Sequence, residues 1–361
     1  MASIQRYPSV KHKRLWRVQY RDASGVSRTK SGFRTKAAAS DWAAKNTASL
    51  RDGSWIAPEH RKKTVQHFHE VWQHTLVDKR ASTVDAYQAS WRTHIESHWG
   101  SYQVGAISRA DIQSWATRLS STASPSVVRR AVYILSAILS EAVDSGALAV
   151  NPASGVKLPK VSNSPGEALT SEQVASLVGA VEDESIKALI MILVYTGIRW
   201  GEAAALRVSD IDTESRRITI SRSAVLVSGQ YIIGQPKSGK TRTVTYPLGL
   251  MEVVEGVIAG RSGRVLLFPL SPGNTQPLSQ RAVWRNAVAA CHEADNEFPK
   301  GLRVHDLRHT AASLLIDSGA SVLVVQRQLG HASPSITLDV YSHLLGDTST
   351  EVVDSMRVIK P

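Results

Sequence analysis

The sequence predicts a mainly α chain carrying small β-sheets, an α+β protein of more than one domain. Three observations predict it. At 361 residues the chain exceeds the usual reach of one hydrophobic core, so two or three domains are expected. Apolar residues recur at helical spacing through most of its length, while strand character is confined to the N-terminus and to 208–245. Turn-forming stretches at 51–63 and 157–168 divide the chain into segments 1–60, 64–155 and 168–361.

Composition narrows the functional classes. A hydrophobic share of 42% permits real cores. No apolar run reaches the length of a membrane span, and the N-terminus lacks the apolar segment of a secretory signal. The single Cys291 cannot form an intramolecular disulfide and reads as a small buried hydrophobe. A soluble, cytoplasmic protein is expected. The net charge of +12 is uneven: residues 1–63 hold 15 Lys and Arg against 4 Asp and Glu, whereas 161–361 hold 19 against 20. A basic excess concentrated at one end is the footprint of a nucleic-acid partner.

The first segment reads as a small sheet packed on one helix. Trp16, Val18 and Tyr20 share one face of a strand, Asp22 to Gly25 is a turn signal, and Val26 to Phe33 is the return strand. Thr35 caps a helix over 36–50 with Ala37, Ala38, Ala39, Trp42 and Ala43 inward. Lys11, Lys13, Arg14, Arg17, Arg21, Arg28, Lys30 and Arg34 then point outward as a basic ribbon suited to a DNA groove.

The second segment reads as four helices. Thr64 opens the first, with Val65, Phe68, Val71, Trp72 and Leu76 on its apolar face. The second spans 82–98 with Val84, Tyr87, Trp91 and Ile95. Ser108 caps the third, which carries Ile112, Trp115 and Leu119. The fourth spans 126–145 and stops at Gly146. Arg92, Arg129 and Arg130 are candidates for phosphate contacts.

The third segment opens at Leu169-Thr170-Ser171-Glu172, where Thr170 or Ser171 is the N-cap. A helix over 186–195 runs into Thr196-Gly197-Ile198-Arg199-Trp200-Gly201-Glu202. Glycines flanking Arg199 allow its backbone to approach a ligand closely. Strand character follows at 208–211, 217–220, 224–227 and 241–245, with the turn Gln235-Pro236-Lys237-Ser238-Gly239-Lys240 joining two strands.

The most informative run comes last. His305 and Arg308 lie three apart at the start of a helix that Gly319 ends. A second helix over 322–329 stops at Gly330, His331 follows directly, and Tyr341 is ten residues on. An arginine fork fits two phosphate oxygens. A tyrosine can act as a covalent nucleophile, although a phenol with an ordinary pKa of about 10 needs help to attack. The spacing of His305 and His309 also suits a helical zinc site, but Asp306 stands at the wrong offset for its glutamate and Arg308 would sit beside the metal. The stretch 314–329 separately has the outline of a helix-turn-helix.

Taken together, HDLRHTAASLL, then LGH, then T-x-x-Y-x-H, with TGIRWGE upstream, resemble the active site of the tyrosine recombinases, the phage integrase family. The resemblance implies Tyr341 as nucleophile, Arg199 and Arg308 on the phosphate, His305 and His331 as hydrogen-bonding partners, and Glu202 in support. It implies a catalytic lysine in the β-turn, Lys237 or its rival Lys240. His343 matches a frequent family position with a structural role. The first segment resembles an arm-binding domain and the second the helical core-binding domain. No cofactor and no metal is implied. The expected partners are double-stranded DNA at core and arm attachment sites, a homotetramer on two duplexes with the apolar tail 346–361 packed on a neighbour, and possible help from a host DNA-bending protein and an excisionase. The function implied is a site-specific integrase of phage or prophage type. Alternatives are a genomic-island or transposon recombinase, or a DNA-binding regulator.

Overall fold

The computed structural model describes residues 2–8, 15–53, 55–161, 166–237, 239–271, 273–295, 297–331 and 333–341, without the side chains of 280–283, 336 and 339–341. Lys11, Lys13, Arg14, His343 and the tail 346–361 lie outside it. The chain is mainly helical with small antiparallel sheets, and it divides into two compact units, Met1–Ser162 and Asn163–Pro361. Among the described residues no helix is long and apolar enough to cross a membrane.

The first unit begins with a three-stranded sheet, β1 (Ser3–Tyr7), β2 (Leu15–Arg21) and β3 (Ser27–Phe33), paired in sequence order. Sequence alternation predicts the second and third strands; β1 is additional and pairs with the basic strand β2, Ser3 opposite Gln19. The Asp22 turn is built as expected. Its carboxylate accepts from Ser24 N, Val26 N and Arg28 Nε at 3.0, 2.9 and 2.6 Å. Helix α1 (Lys36–Arg51) is capped by Thr35, which accepts from Ala38 N at 3.1 Å. It buries Ala39, Ala43 and Asn46, a run of i, i+4, i+7, against Val18. Ala37 and Ala38 face outward instead of inward, because only one side of a helix can meet a three-stranded sheet.

The stretch expected to be a linker contains α2 (Pro58–Arg61), started by a proline in its first turn. It docks on the next segment closely enough that a Cβ on Gly105 would meet Arg61 Cβ at 2.8 Å. The helices that follow are α3 (Val65–His74), α4 (Ala81–Ser90), α5 (Glu96–Trp99), α6 (Arg109–Leu119) and α7 (Pro125–Asp144). Thr64 and Ser108 are N-caps as expected, and Gly146 takes the positive φ of 67° that suits a residue beyond a helix end. Between α4 and α5 the chain makes a π-helical turn, Trp91–Ile95, so the single helix expected over 82–98 is interrupted. That turn seats Trp91 flat on the buried His69 ring, centroids 3.8 Å apart and 5° from parallel. Val71, expected in the core, is 37% exposed. The bundle core is set by Phe68, Trp99, Ile112, Ile134, Leu135 and Ile138, each contributing about 1.5–3 kcal/mol by burial.

The second unit contains α8 (Ser171–Gly179), α9 (Glu184–Thr196) and α10 (Trp200–Ala204), then strands β4 (Ile211–Asp212), β5 (Arg217–Ile220), β6 (Ser223–Val227), β7 (Gln230–Gly234) and β8 (Arg242–Thr245). Five helices complete it: α11 (Met251–Ile258), α12 (Gln280–Ala294), α13 (Asp306–Asp317), α14 (Val322–Leu329) and α15 (Pro334–Tyr341). The strands form one sheet in the order β4-β5-β8 and a separate β6-β7 hairpin. Val208–Asp210, expected as strand, is a 3-10 turn. Thr170, rather than Ser171, is the N-cap of α8, in a reciprocal capping box with Gln173. The core gathers Ile190, Leu193, Ile198, Leu206, Ile218 and Leu307, and buries Cys291 as a hydrophobe, with burial pushing its thiol pKa up.

Candidate active site

Three chain segments meet around Arg199. The first is the end of α9. Gly197 closes it in the left-handed conformation, φ 65°, and a Cβ there would overlap Leu329 Cδ2 and come within 3.1 Å of Ala311 Cβ. Gly201 packs equally closely, with Ala224 O at 2.5 Å from a Cβ placed on it. The two glycines serve close contacts within the chain. They let α9 abut α13 and α14 and let α10 rest on β6.

Arg199 caps α10, and its side chain is 33% exposed. Glu202 reaches back to it: Arg199 N donates to Oε2 at 2.9 Å and Nη1 to Oε1 at 3.1 Å. Glu202 is 2% exposed. Burial works to push its carboxyl pKa up, but Arg242 and Arg199 outweigh burial and hold it below the usual value. Arg242 supplies two bonds, Nη1 to Oε1 at 2.9 Å and Nη2 to Oε2 at 2.6 Å. Sequence spacing gives no hint of it, because the pair is 40 positions apart.

The second segment is the start of α13. His305 immediately precedes the helix, and Asp306 accepts from Arg303 N at 2.7 Å and from its guanidinium. A carboxylate there also suits the positive end of the helix. Arg308, 3% exposed, donates through Nη1 to Gly197 O at 2.6 Å. The chain entering this unit lies so close that a Cβ on Gly166 would overlap Asp306 and His309. Leu169 N then donates to Thr310 Oγ1 at 3.0 Å.

The third segment runs from α14 to α15. Gly330 ends α14 with φ 69°, and His331 follows, half-buried. Its Nδ1 lies 2.8 Å from Thr337 Oγ1, a buried residue of α15. Tyr341 is four residues on, at the last position of that helix.

Electrostatics tie these pieces together. Burial lowers the His305 pKa, and the charges of His309, Arg308 and Arg199 act the same way. Burial, then Arg308, Arg199, His309 and His305, lower His331 to about 4. Both imidazoles are therefore neutral at pH 7 and able to hydrogen-bond without adding charge. His305 and His309 meet edge to face, centroids 5.6 Å apart. The site brings together the partly exposed Arg199 and the buried Arg308, with Glu202 and Asp306 engaged by arginines beside them. Lys237 and Lys240 lie exposed in the turn between β7 and β8. Among the described residues no group of His, Cys, Asp and Glu has the arrangement of a metal site.

In the first unit, Arg17 donates to Gln5 and lies over the Tyr7 ring. Arg28 is engaged by Asp22 and Glu59, at 2.6 Å each. Arg21, Lys30 and Arg34 are exposed, as are Arg92, Arg129 and Arg130 in the bundle.

Comparison with known proteins matches residues 167–347 to the phage integrase family. The integrase of Mycobacterium phage D29 is 26% identical over 312 residues, covering 82% of this chain and 81% of the phage protein. The fold resembles the Tn1549 transposon integrase in complex with a circular intermediate DNA, TM-score 0.68 at 22% identity, over 81% of this chain and 99% of that one. A lambda integrase tetramer bound to a Holliday junction gives TM-score 0.61 at 17% identity, over 91% and 96%.

Proposed function

This chain belongs to the phage integrase family of tyrosine-type site-specific recombinases, and on that premise we propose that it cuts and rejoins DNA at attachment sites through a 3′-phosphotyrosyl ester on Tyr341. The observation that carries the reading is the convergence of Arg199, Arg308, His305 and His331 from separate segments, with α15 anchored to His331 through Thr337 and ending at Tyr341.

The Tyr341 hydroxyl attacks a DNA phosphorus, losing its proton, for which the neutral imidazole of His305 is the candidate acceptor. The 5′-oxygen leaves and takes up a proton, for which Lys237 is the candidate donor. A 5′-hydroxyl from the same or a partner duplex then attacks the ester and reseals the strand. Arg199 and Arg308 hold the non-bridging oxygens as negative charge builds on them. A preorganised donor of this kind is worth on the order of 3 kcal/mol, about a hundredfold in rate.

The remaining assignments follow the same reading. Segment 1–60 is an arm-type DNA-binding domain, 64–155 a core-binding domain and 168–361 the catalytic domain. Two of these chains sit on each of two duplexes, as a tetramer, inside the bacterial cytoplasm. A host bending protein and an excisionase set direction. The element is a phage or prophage; a genomic island or transposon is the second reading. The deciding experiment is Tyr341→Phe on a nicked suicide substrate. The variant binds the core site and forms no covalent adduct, whereas wild type forms one. An adduct with the Phe variant removes Tyr341 as nucleophile.

A further inference from the structure

The second unit contains an ion cluster around the buried Glu202 whose third member, Arg242, has no role in the chemistry proposed above. Each oxygen of the Glu202 carboxylate receives one hydrogen bond from Arg199 and one from Arg242. The Arg242 side chain is 14% exposed and Glu202 2%, so these bonds are sheltered from water.

Arg242 also touches the segment carrying His331. A Cβ on Gly330 would meet its Nε at 2.5 Å and its Cδ at 2.7 Å, so the guanidinium lies against the backbone that immediately precedes His331. The strand it starts is clamped to the same helix at its far end. Gln328 of α14 accepts from Thr245 N at 3.2 Å and donates to Thr245 O at 2.7 Å, as another strand would. In the other direction, β8 continues back into the turn holding Lys237.

We propose that Arg242 is a positioning residue of the reaction centre, fixing the Arg199 guanidinium through Glu202 and the start of the His331 segment through its packing on Gly330. It does not touch the phosphate. Its action is geometric: it leaves Glu202 one orientation, and Glu202 in turn leaves Arg199 one. Gly330 is then required for more than its left-handed backbone, because any side chain there displaces the guanidinium that holds Glu202. The proposal rests on the recombinase reading above.

The test uses the full-length protein and the nicked suicide substrate, with Arg242→Met, Arg242→Lys, Glu202→Gln and the double variant Glu202→Gln/Arg242→Met. Arg242→Met is expected to slow adduct formation on the order of a hundredfold, the scale of a misplaced reacting group. Core-site affinity should stay within about twofold, since phosphate contacts elsewhere set it. Arg242→Lys recovers part of the rate. The double variant removes buried charges of both signs together, so it folds even if Arg242→Met does not, and it should be no slower than Glu202→Gln alone. The idea is overturned by an Arg242→Met rate within about twofold of wild type. It is equally overturned if the double variant is slower than Glu202→Gln by the full factor that Arg242→Met costs the wild type, or if rate is lost only in step with core-site binding. Wild type that forms no adduct takes down the parent reading and this one with it. An adduct from wild type with Arg242→Met unaffected takes down this one alone.

Discussion

The Arg308 guanidinium donates to the carbonyl of Gly197 at 2.6 Å, joining residues 111 positions apart. The bond does two things. It satisfies a carbonyl at the end of α9 that has no helical partner, and it fixes one arm of a cation that is 3% exposed. Arg308→Lys keeps the charge but loses the fork that holds Gly197 O and, in the proposed reaction, a phosphate oxygen as well. Its adduct-forming rate should fall about a hundredfold or more. Single-turnover cleavage checks this, with core-site binding measured beside it.

Gly197→Ala tests the packing that makes Arg308's acceptor available. Alanine in the left-handed conformation costs about 1 kcal/mol. The new methyl group also overlaps Leu329 and crowds Ala311, adding roughly 1–3 kcal/mol. A destabilisation of about 3 kcal/mol is expected in denaturant unfolding. A variant of wild-type stability would mean that α9, α13 and α14 do not pack this closely.

The histidines make stability depend on pH. His331 protonates near pH 4 in the folded protein, against 6.5 for an unstrained histidine. The unfolded chain therefore binds the extra proton first. Stability is fully present above about pH 6.5 and is lost as pH falls toward 4. His305 and His309 shift in the same direction. The melting temperature of the DNA-free protein should drop through this window, and less steeply in His331→Gln. Equal slopes for the two proteins would contradict the burial of this imidazole among the arginines.

In the N-terminal sheet the exposed and the engaged cations should separate. Lys30 and Arg34 are exposed. If they contact phosphates, replacing both by alanine weakens arm-site binding and flattens its salt dependence by roughly 0.9 in log–log slope for each phosphate no longer neutralised. Arg28 is held by Asp22 and Glu59, and it keeps the Asp22 carboxyl down to about 2. Arg28→Ala should lower the melting temperature of this region more than either exposed substitution. Deleting residues 2–53 is the cleaner truncation, because Arg61 and Lys63 belong to the packing of the bundle: Lys63 O accepts from Val104 N at 3.0 Å. The truncated protein should retain core-site cleavage and lose arm-site binding.

Short-range rules carried far in this chain. Thr35, Ser108 and Thr170 cap the helices they precede, and Gly146, Gly319 and Gly330 follow helix ends with positive φ, as their spacing from apolar runs required. They failed where a residue's surroundings come from distant sequence. Ala37, Ala38 and Val71 have apolar side chains at helical spacing but no neighbour to bury them. The π-helical turn that begins at Trp91 sets that ring on His69, a residue of another helix.

The candidate site divides in the same way. Arg199, His305, Arg308 and His331 stand out in the sequence beside local landmarks, a glycine, a cap or a helix end, while Glu202 and the roles proposed for all five come from the family resemblance. Arg242, Thr337 and the packing of Gly197 and Gly201 on other elements could not be read from the sequence. Hydrogen-bond partners 40 or 111 positions apart, and a methyl group's clearance from another helix, are settled by how the helices and strands pack. Local preference reaches about one helical turn along the chain. Beyond that distance, only folding decides which atoms meet.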